Sequence, residues 1–336
     1  MTQAAIYGLA AAELSAEEAA FFREARPTGY ILFRRNIESR EQLRRLTDAL
    51  RDLEGHDEVP ILIDQEGGRV ARMRPPIWPA FPSGETFDRL YQIAPSSAIE
   101  AARVNARALG LMLHEVGVTI NCLPMLDVRQ PGATDIVGDR ALGSEPMQVS
   151  ALGRAILDGL ASAGVLGVIK HIPGHGRALV DSHKELPVVD AGEDLLRIDL
   201  EPFERLRDAA MGMTSHLLYT EWDALRPASQ SPIVIHDIIR ERIGFDGFLM
   251  SDDIDMGALA GDHATRAAAC LAAGCDVLLQ CDGKMDHMAS VAGAIGGLTP
   301  EAEARLARAM AMRFTPDDEM DFSVAVAKRD ELLALV

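Results

Sequence analysis

The sequence has no Cys-X-X-Cys pair, no apolar run approaching the ~20 residues that span a bilayer, and too few cations to balance its acids. Each shortage removes a class of function. The chain carries 33 lysines and arginines against 51 aspartates and glutamates, a formal charge of −18. Such a surface repels nucleic-acid phosphates and anionic lipid, so neither nucleic acid nor membrane is expected as a partner. Of the four cysteines, Cys270, Cys275 and Cys281 sit in the apolar stretch AAACLAAGCDVLLQC, and Cys122 stands apart. Buried thiols in a reducing compartment fit this pattern better than disulfides or a metal cage. The first residues, MTQAAIYGLAAAELSAEEAAFF, lack a basic leader, and a cytoplasmic location is expected. His-X-His and HExxH zinc signatures are missing as well.

What the chain does have is length and alternation. Its 336 residues are enough to bury about three quarters of the surface of the unfolded chain. Short aliphatic runs recur along it: AAIYGLA around Ile6, then 29–33, 59–64, 118–128, 165–171, 212–219, 247–252 and 275–281. Several are apolar on both faces, as parallel strands covered by helices must be. Amphipathic segments at 39–55 and 99–117 lie between them, each ending near a glycine. Eight strands with helical crossovers predict an α/β fold, a (β/α)8 TIM barrel in a single domain over 1–336. A helical C-terminal tail, 299–314 and the last fifteen residues, is expected to pack outside it. The longest irregular stretches are expected at 65–95 and 172–190.

In such a barrel the site lies at the C-terminal ends of the strands. Five of the eight runs end there on a polar group: Asp64, Asp127, Lys170 with His171, His216, and Asp252. Strand alternation sends Asp252 and its neighbour Asp253 to opposite faces. Asp252 is therefore read as the functional acid, and Asp253 and Asp255 as capping residues, Asp255 at a helix beginning near Met256. In KHIPGHGRALVDSHKELP (170–187), glycines on both sides of His175 suggest a loop able to move. An aspartate two residues before a histidine, Asp181 before His183, can fix one ring nitrogen and leave the other to shuttle a proton. In DQEGGRVARM (64–73), Asp64, Arg69 and Arg72 are candidate clamps for sugar hydroxyls.

In this order and spacing, DQEGGRV, GDRALG, KH-X-PGHG, DSH and SDD resemble glycoside hydrolase family 3, in its single-domain bacterial β-N-acetylglucosaminidase branch. The resemblance spans nearly the whole chain. It implies Asp252 as nucleophile, His183 as general acid/base with Asp181 as its partner, and Asp64, Arg72, Arg140, Lys170 and His171 as substrate-binding residues. No metal and no organic cofactor are implied. The implied substrate is a terminal β-linked GlcNAc, on a small glycoside or on a 1,6-anhydro-muropeptide from cell-wall recycling. A monomer or weak dimer is expected. The chain departs from the pattern at Ile172, where phenylalanine is common, at Arg177, where a small or acidic residue is frequent, and at Cys122 and Met125. Three other readings stay open on the residues alone. One is a glycoside phosphorylase using the same site; another is a metal-dependent hydrolase with His171, His175, His183, His216 and Asp252 as ligands; the third is glycan binding without turnover.

Overall fold

The structure, a computed structural model, describes residues 1–316 and 320–336, so positions 317–319 of the expected domain lie outside the described residues. Ten strands occur among them: β1 (Gln3–Gly8), β2 (Pro27–Leu32), β3 (Ile61–Ile63), β4 (Ile120–Asn121), β5 (Leu166–Ile172), β6 (Val188–Val189), β7 (Met211–Thr214), β8 (Leu218–Tyr219), β9 (Phe248–Asp253) and β10 (Val277–Gln280). Eight close a parallel barrel in the order β1-β2-β3-β4-β5-β7-β9-β10, with β10 returning to β1. The remaining two, β6 and β8, pair as a separate two-stranded sheet. The expected (β/α)8 barrel is the observed fold.

Alternation along each strand builds two apolar layers. Ile6, Ile31, Leu62, Ile120, Val168, Met213, Phe248, Met250 and Leu279 fill the barrel interior. Their neighbours Tyr7, Leu32, Ile63, Ile169, Leu249 and Leu278 face the helices. Burial of each large side chain contributes roughly 1.5–3 kcal/mol, which makes this double layer the main source of stability. The helix Arg40–Glu54 shows how local signals fix boundaries. Ser39 accepts the Gln42 N–H at its start, and Gly55 takes φ 75° at its end.

The structure corrects four sequence expectations. In 118–128 only Ile120–Asn121 joins the ladder. Pro124 has no N–H to donate, and the Asn121 amide instead bonds both ways to the Gln65 backbone, at 3.0 and 2.9 Å. The run 212–219 splits, because β7 ends at Thr214 and Leu218–Tyr219 pair with β6. The stretch 65–95 is helical from Gly84, with a second helix, Pro95–Glu115, opening on a proline suited to a first turn. The first tail helix, Pro300–Ala311, does not lie on the outer shell. Leu298, Ala302 and Ala309 join the interior layer and close the barrel's N-terminal end. Only the second, Phe322–Leu333, packs outside, against Pro95–Glu115. No described helix is long and apolar enough to cross a membrane.

Candidate active site

The parity that fills the interior also aims the functional groups. Phe248 and Met250 point inward on β9, so Asp252 follows them toward the axis. On β3, Leu62 points inward and Asp64 continues its row. On β5, Leu166 and Val168 point inward, as does Lys170, and a register shift between Ile169 and Ile172 lets His171 reach the mouth too. These groups line one cavity of about 360 Å³ together with Glu66, Arg72, Asp127, Arg140, His175, Asp181 and His183.

Charges on one wall of the cavity are closely matched. Lys170, 2% exposed, places Nζ 3.0 Å from Asp64 Oδ1 and 2.7 Å from Glu66 Oε1. Arg140 binds Glu66 through two parallel bonds of 2.8 Å, and Arg72 reaches Asp64 Oδ2 at 3.1 Å. Arg72 is positioned by Gln65, whose Oε1 accepts the N–H groups of Arg72 and Met73 and folds the loop back on itself. Arg69 pairs instead with half-buried Asp139 at 2.6 Å and with the Ile136 carbonyl, tying down the neighbouring loop. Burial alone would raise the Asp64 and Glu66 carboxyls, but Lys170 with Arg72, and Arg140 with Lys170, bring both below the usual range. The same pairs hold Lys170 above its ordinary value despite burial.

The second wall centres on Asp127, which is fully buried. Its Oδ2 lies 2.7 Å from His171 Nδ1, and its Oδ1 accepts the His175 N–H at 2.6 Å. With Nδ1 engaged, His171 offers Nε2 to the cavity. His216 donates Nε2–H to the Asp253 carbonyl at 3.0 Å, which leaves Nδ1 to accept from Ser229 Oγ at 2.6 Å. It thereby fixes the end of β9. Burial pushes the Asp252 carboxyl up, but His171, the Asp253 N–H at 2.8 Å and Lys170 outweigh it and keep it below the ordinary range. Among the described residues, His171, His175, His183, His216 and Asp252 do not converge as an ion-holding set, which corrects the metal-hydrolase reading of those five.

Above them lies 172–190. His183 is 66% exposed, with Nδ1 2.9 Å from Asp181 Oδ1, and Asp181 also accepts the His183 N–H at 2.8 Å. The Asp181 carboxyl is lowered, the His183 contacts overcoming burial. The glycines around His175 are required by close packing and backbone geometry. A Cβ on Gly176 would stand 1.9 Å from the Val128 carbonyl oxygen, and Gly174 has φ 136°. His175 is pushed down to about 4 by burial, and its Nε2 lies 3.2 Å from Ser182 Oγ, beneath the Asp-Ser-His turn. Arg177 anchors the loop to Asp199 at 2.5 Å, and Ile172 is fully buried.

Two capping assignments need revision. No helix starts at Met256; the next begins at His263, capped by Asp262. Asp255 accepts the N–H groups of Cys281 and Asp282 and so joins the ends of β9 and β10. Asp253 lines the cavity while accepting the Asp255 N–H, and burial beside Asp255 raises its carboxyl well above the usual range. Sequence reading also passed over Glu66 and the anchoring roles of Asp127 and His175. The Glu66 signal was present: it stands two residues beyond Asp64, the spacing of one strand face, and the strand ends before reaching it.

A barrel whose strand ends converge ionised carboxylates, imidazoles and guanidinium groups is built to hold and cleave a polar, hydroxyl-rich molecule. Residues 1–312 match the glycosyl hydrolase family 3 N terminal domain. A β-hexosaminidase of Methylococcus capsulatus is 37% identical over 319 residues, covering 92% of this chain and 86% of its own. The crystal structure of native NagZ from Neisseria gonorrhoeae is similar with a TM-score of 0.88 and 30% identity, covering 99% of this chain and 98% of that one. The same Neisseria protein in complex with N-trifluoroacetyl-D-glucosamine gives 0.86 at 28% identity, with the same coverage. The chain belongs to glycosyl hydrolase family 3.

Proposed function

We propose that the protein is a retaining β-N-acetylglucosaminidase that releases terminal β-linked GlcNAc. The observation that carries this is the placement of Asp252, kept ionised by its neighbours, in one cavity with the Asp181–His183 pair. Asp252 attacks the anomeric carbon while His183 protonates the departing oxygen. His183 then takes a proton from the water that releases the sugar. Asp181 holds Nδ1, so Nε2 is the nitrogen that exchanges the proton. Asp64, Arg72 and Lys170 bind hydroxyls and fix the ring, while Arg140 acts through Glu66 and His171 presents Nε2 near the reacting centre. The β-hexosaminidase relatives and the neighbour solved with N-trifluoroacetyl-D-glucosamine support an N-acetylated sugar.

The leaving fragment in this reading is an anionic 1,6-anhydro-muropeptide, met in the cytoplasm during cell-wall recycling. A histidine donor suits it, because imidazole becomes neutral rather than negative when its proton leaves. The test removes the nucleophile and supplies another. Asp252→Gly should lose turnover of an aryl β-GlcNAc, and azide should restore part of it with formation of an α-azido sugar. Undiminished hydrolysis by the variant would sink the assignment.

A further inference from the structure

We propose that Asp255, His263, Asp282 and His287 form a zinc site on the rim of the barrel, and that the ion braces the segment on which the Asp181–His183 turn rests. The four come from different elements. Asp255 follows β9, Asp282 follows β10, and the histidines lie in the first turns of the helices His263–Ala273 and Met285–Ala292. One ligand atom from each lies within 4.8 Å of the others. A zinc ion with bonds near 2.0–2.2 Å needs such atoms about 3.4 Å apart, so modest side-chain rotation closes the shell. His263 Nε2 already lies 2.8 Å from Asp255 Oδ1, and His287 Nδ1 2.6 Å from Asp282 Oδ2. The two imidazole rings stack at 3.8 Å.

The surroundings orient the carboxylates as a built site does. Asp255 Oδ2 accepts the Cys281 and Asp282 N–H groups at 3.0 and 2.9 Å, leaving Oδ1 for the ion. Asp282 Oδ1 accepts the Lys284 N–H at 2.9 Å, leaving Oδ2. Gln280, fully buried, reaches both acids through Nε2, at 2.5 Å to Asp282 and 3.3 Å to Asp255, while its Oε1 has no partner. Lys284 Nζ stands 3.1 Å from Asp282 Oδ2, but its side chain is 64% exposed and free to swing away. Two imidazoles and two carboxylates favour zinc over the oxygen-seeking magnesium and calcium.

What the ion would brace is the stretch after Asp255. The Gly257 N–H bonds to the His183 carbonyl at 3.2 Å, and the Ala258 N–H to the Ser182 carbonyl at 3.1 Å. Met256, between Asp255 and Gly257, lines the cavity. This consequence rests on His183 being the acid/base; the ion site does not.

The full chain, stripped with a chelator, is titrated with zinc chloride and its metal content measured after gel filtration. Wild type should hold one zinc per chain. His263→Ala and His287→Ala should each weaken binding by more than about 100-fold, while His183→Ala keeps it. Cobalt(II) should give the intense visible bands of a four-coordinate site in wild type and lose them in His263→Ala. Because those bands need only the wild-type protein, a variant that fails to fold leaves the test intact. No zinc at micromolar concentration, weak octahedral cobalt bands, or binding that survives both histidine changes would overturn the site. Zinc should also slow proteolysis within 177–187 severalfold in wild type; binding without protection would overturn the bracing. None of these readouts uses turnover, so their failure is distinct from failure of the glycosidase reading.

Discussion

Glu66 is the residue whose loss best separates a matched ion network from a set of independent sugar contacts. Consider Glu66→Gln, which keeps shape and removes one charge. Arg140 now offers its two parallel N–H groups to an amide with a single oxygen. Whichever way the amide turns, its NH2 faces that guanidinium, which lies 2.8 Å from both present oxygens, and in the Oε1 position it also faces the Lys170 ammonium at 2.7 Å. Both cations are largely shielded, at 12% and 2% exposure, so solvent does little to relieve them. Breaking a buried pair by removing one partner costs about 3–5 kcal/mol. Lys170 keeps Asp64 at 3.0 Å, which places the expected loss at the lower end, about 3 kcal/mol. At about 2.1 cal/mol/K of unfolding entropy per residue, a chain of 336 residues loses about 1.4 °C of Tm per kcal/mol, so a fall of roughly 4 °C is expected.

The assay is thermal unfolding by circular dichroism at neutral pH, beside kcat/KM on an aryl β-GlcNAc at 25 °C. Displacing Lys170 and Arg140 by a fraction of an ångström should lower kcat/KM by about 10–100-fold, mostly through KM. The double variant Glu66→Gln/Arg140→Met should be less unstable than the two single changes added together, by at least about 1 kcal/mol. Asp181→Asn serves as the contrast: its pair with exposed His183 contributes little to stability, so Tm should move by less than about 1 °C while turnover falls. A Tm for Glu66→Gln within a degree of wild type, or strict additivity with Arg140→Met, would refute the network argument.

Other expectations follow from the same groups. His183→Ala should lose far less activity on a substrate whose leaving group needs no protonation than on a poor one; equal losses would argue against a proton donor. Burial holds His175 at about 4 against 6.5 unfolded, so the unfolded chain binds the extra proton between those values and stability falls as pH drops through that window. The full effect is about 3 kcal/mol. Asp199, raised to about 7 by burial, titrates in the opposite sense, so the informative quantity is wild type minus His175→Gln in urea unfolding at pH 7 and pH 5. That difference should shrink by about 2 kcal/mol at the lower pH; a constant difference would contradict a buried neutral imidazole. The depressed carboxyl of Asp252 also predicts an acidic limb of kcat/KM below the ordinary carboxylate range, whereas an Asp252-dependent limb near pH 6 would contradict it.

The difference between what could and could not be read from the sequence is one of range. Alternation is a local rule, and it decides which strand residues see the axis. Asp64, Lys170 and Asp252 were accessible as polar ends of apolar runs, alternation separates Asp252 from Asp253, and all eight barrel strands follow from the short aliphatic runs. Glu66, Asp127 and His175 owe their importance to partners that no local pattern supplies. Glu66 meets Lys170 across 104 positions only because β3 and β5 flank β4 in the closed barrel. Asp127 acts where it does because the chain leaves the ladder after Asn121 and returns beside Lys170, through a bridge from Met125. Even the glycines beside His175, which suggest mobility as a pattern, are explained by a carbonyl of Val128 pressed against Gly176. A change that leaves every strand pattern intact can therefore still dismantle this site. Val128 lies on no functional motif, yet its carbonyl sets how closely the turn beneath Ser182 can approach. Gly176→Ala, which preserves the charge and every reacting group, should on that ground cost more activity than Arg69→Ala, which removes a charge from the cavity's edge. Paired kcat/KM measurements decide it, and the reverse order would show that the loop tolerates displacement at its base.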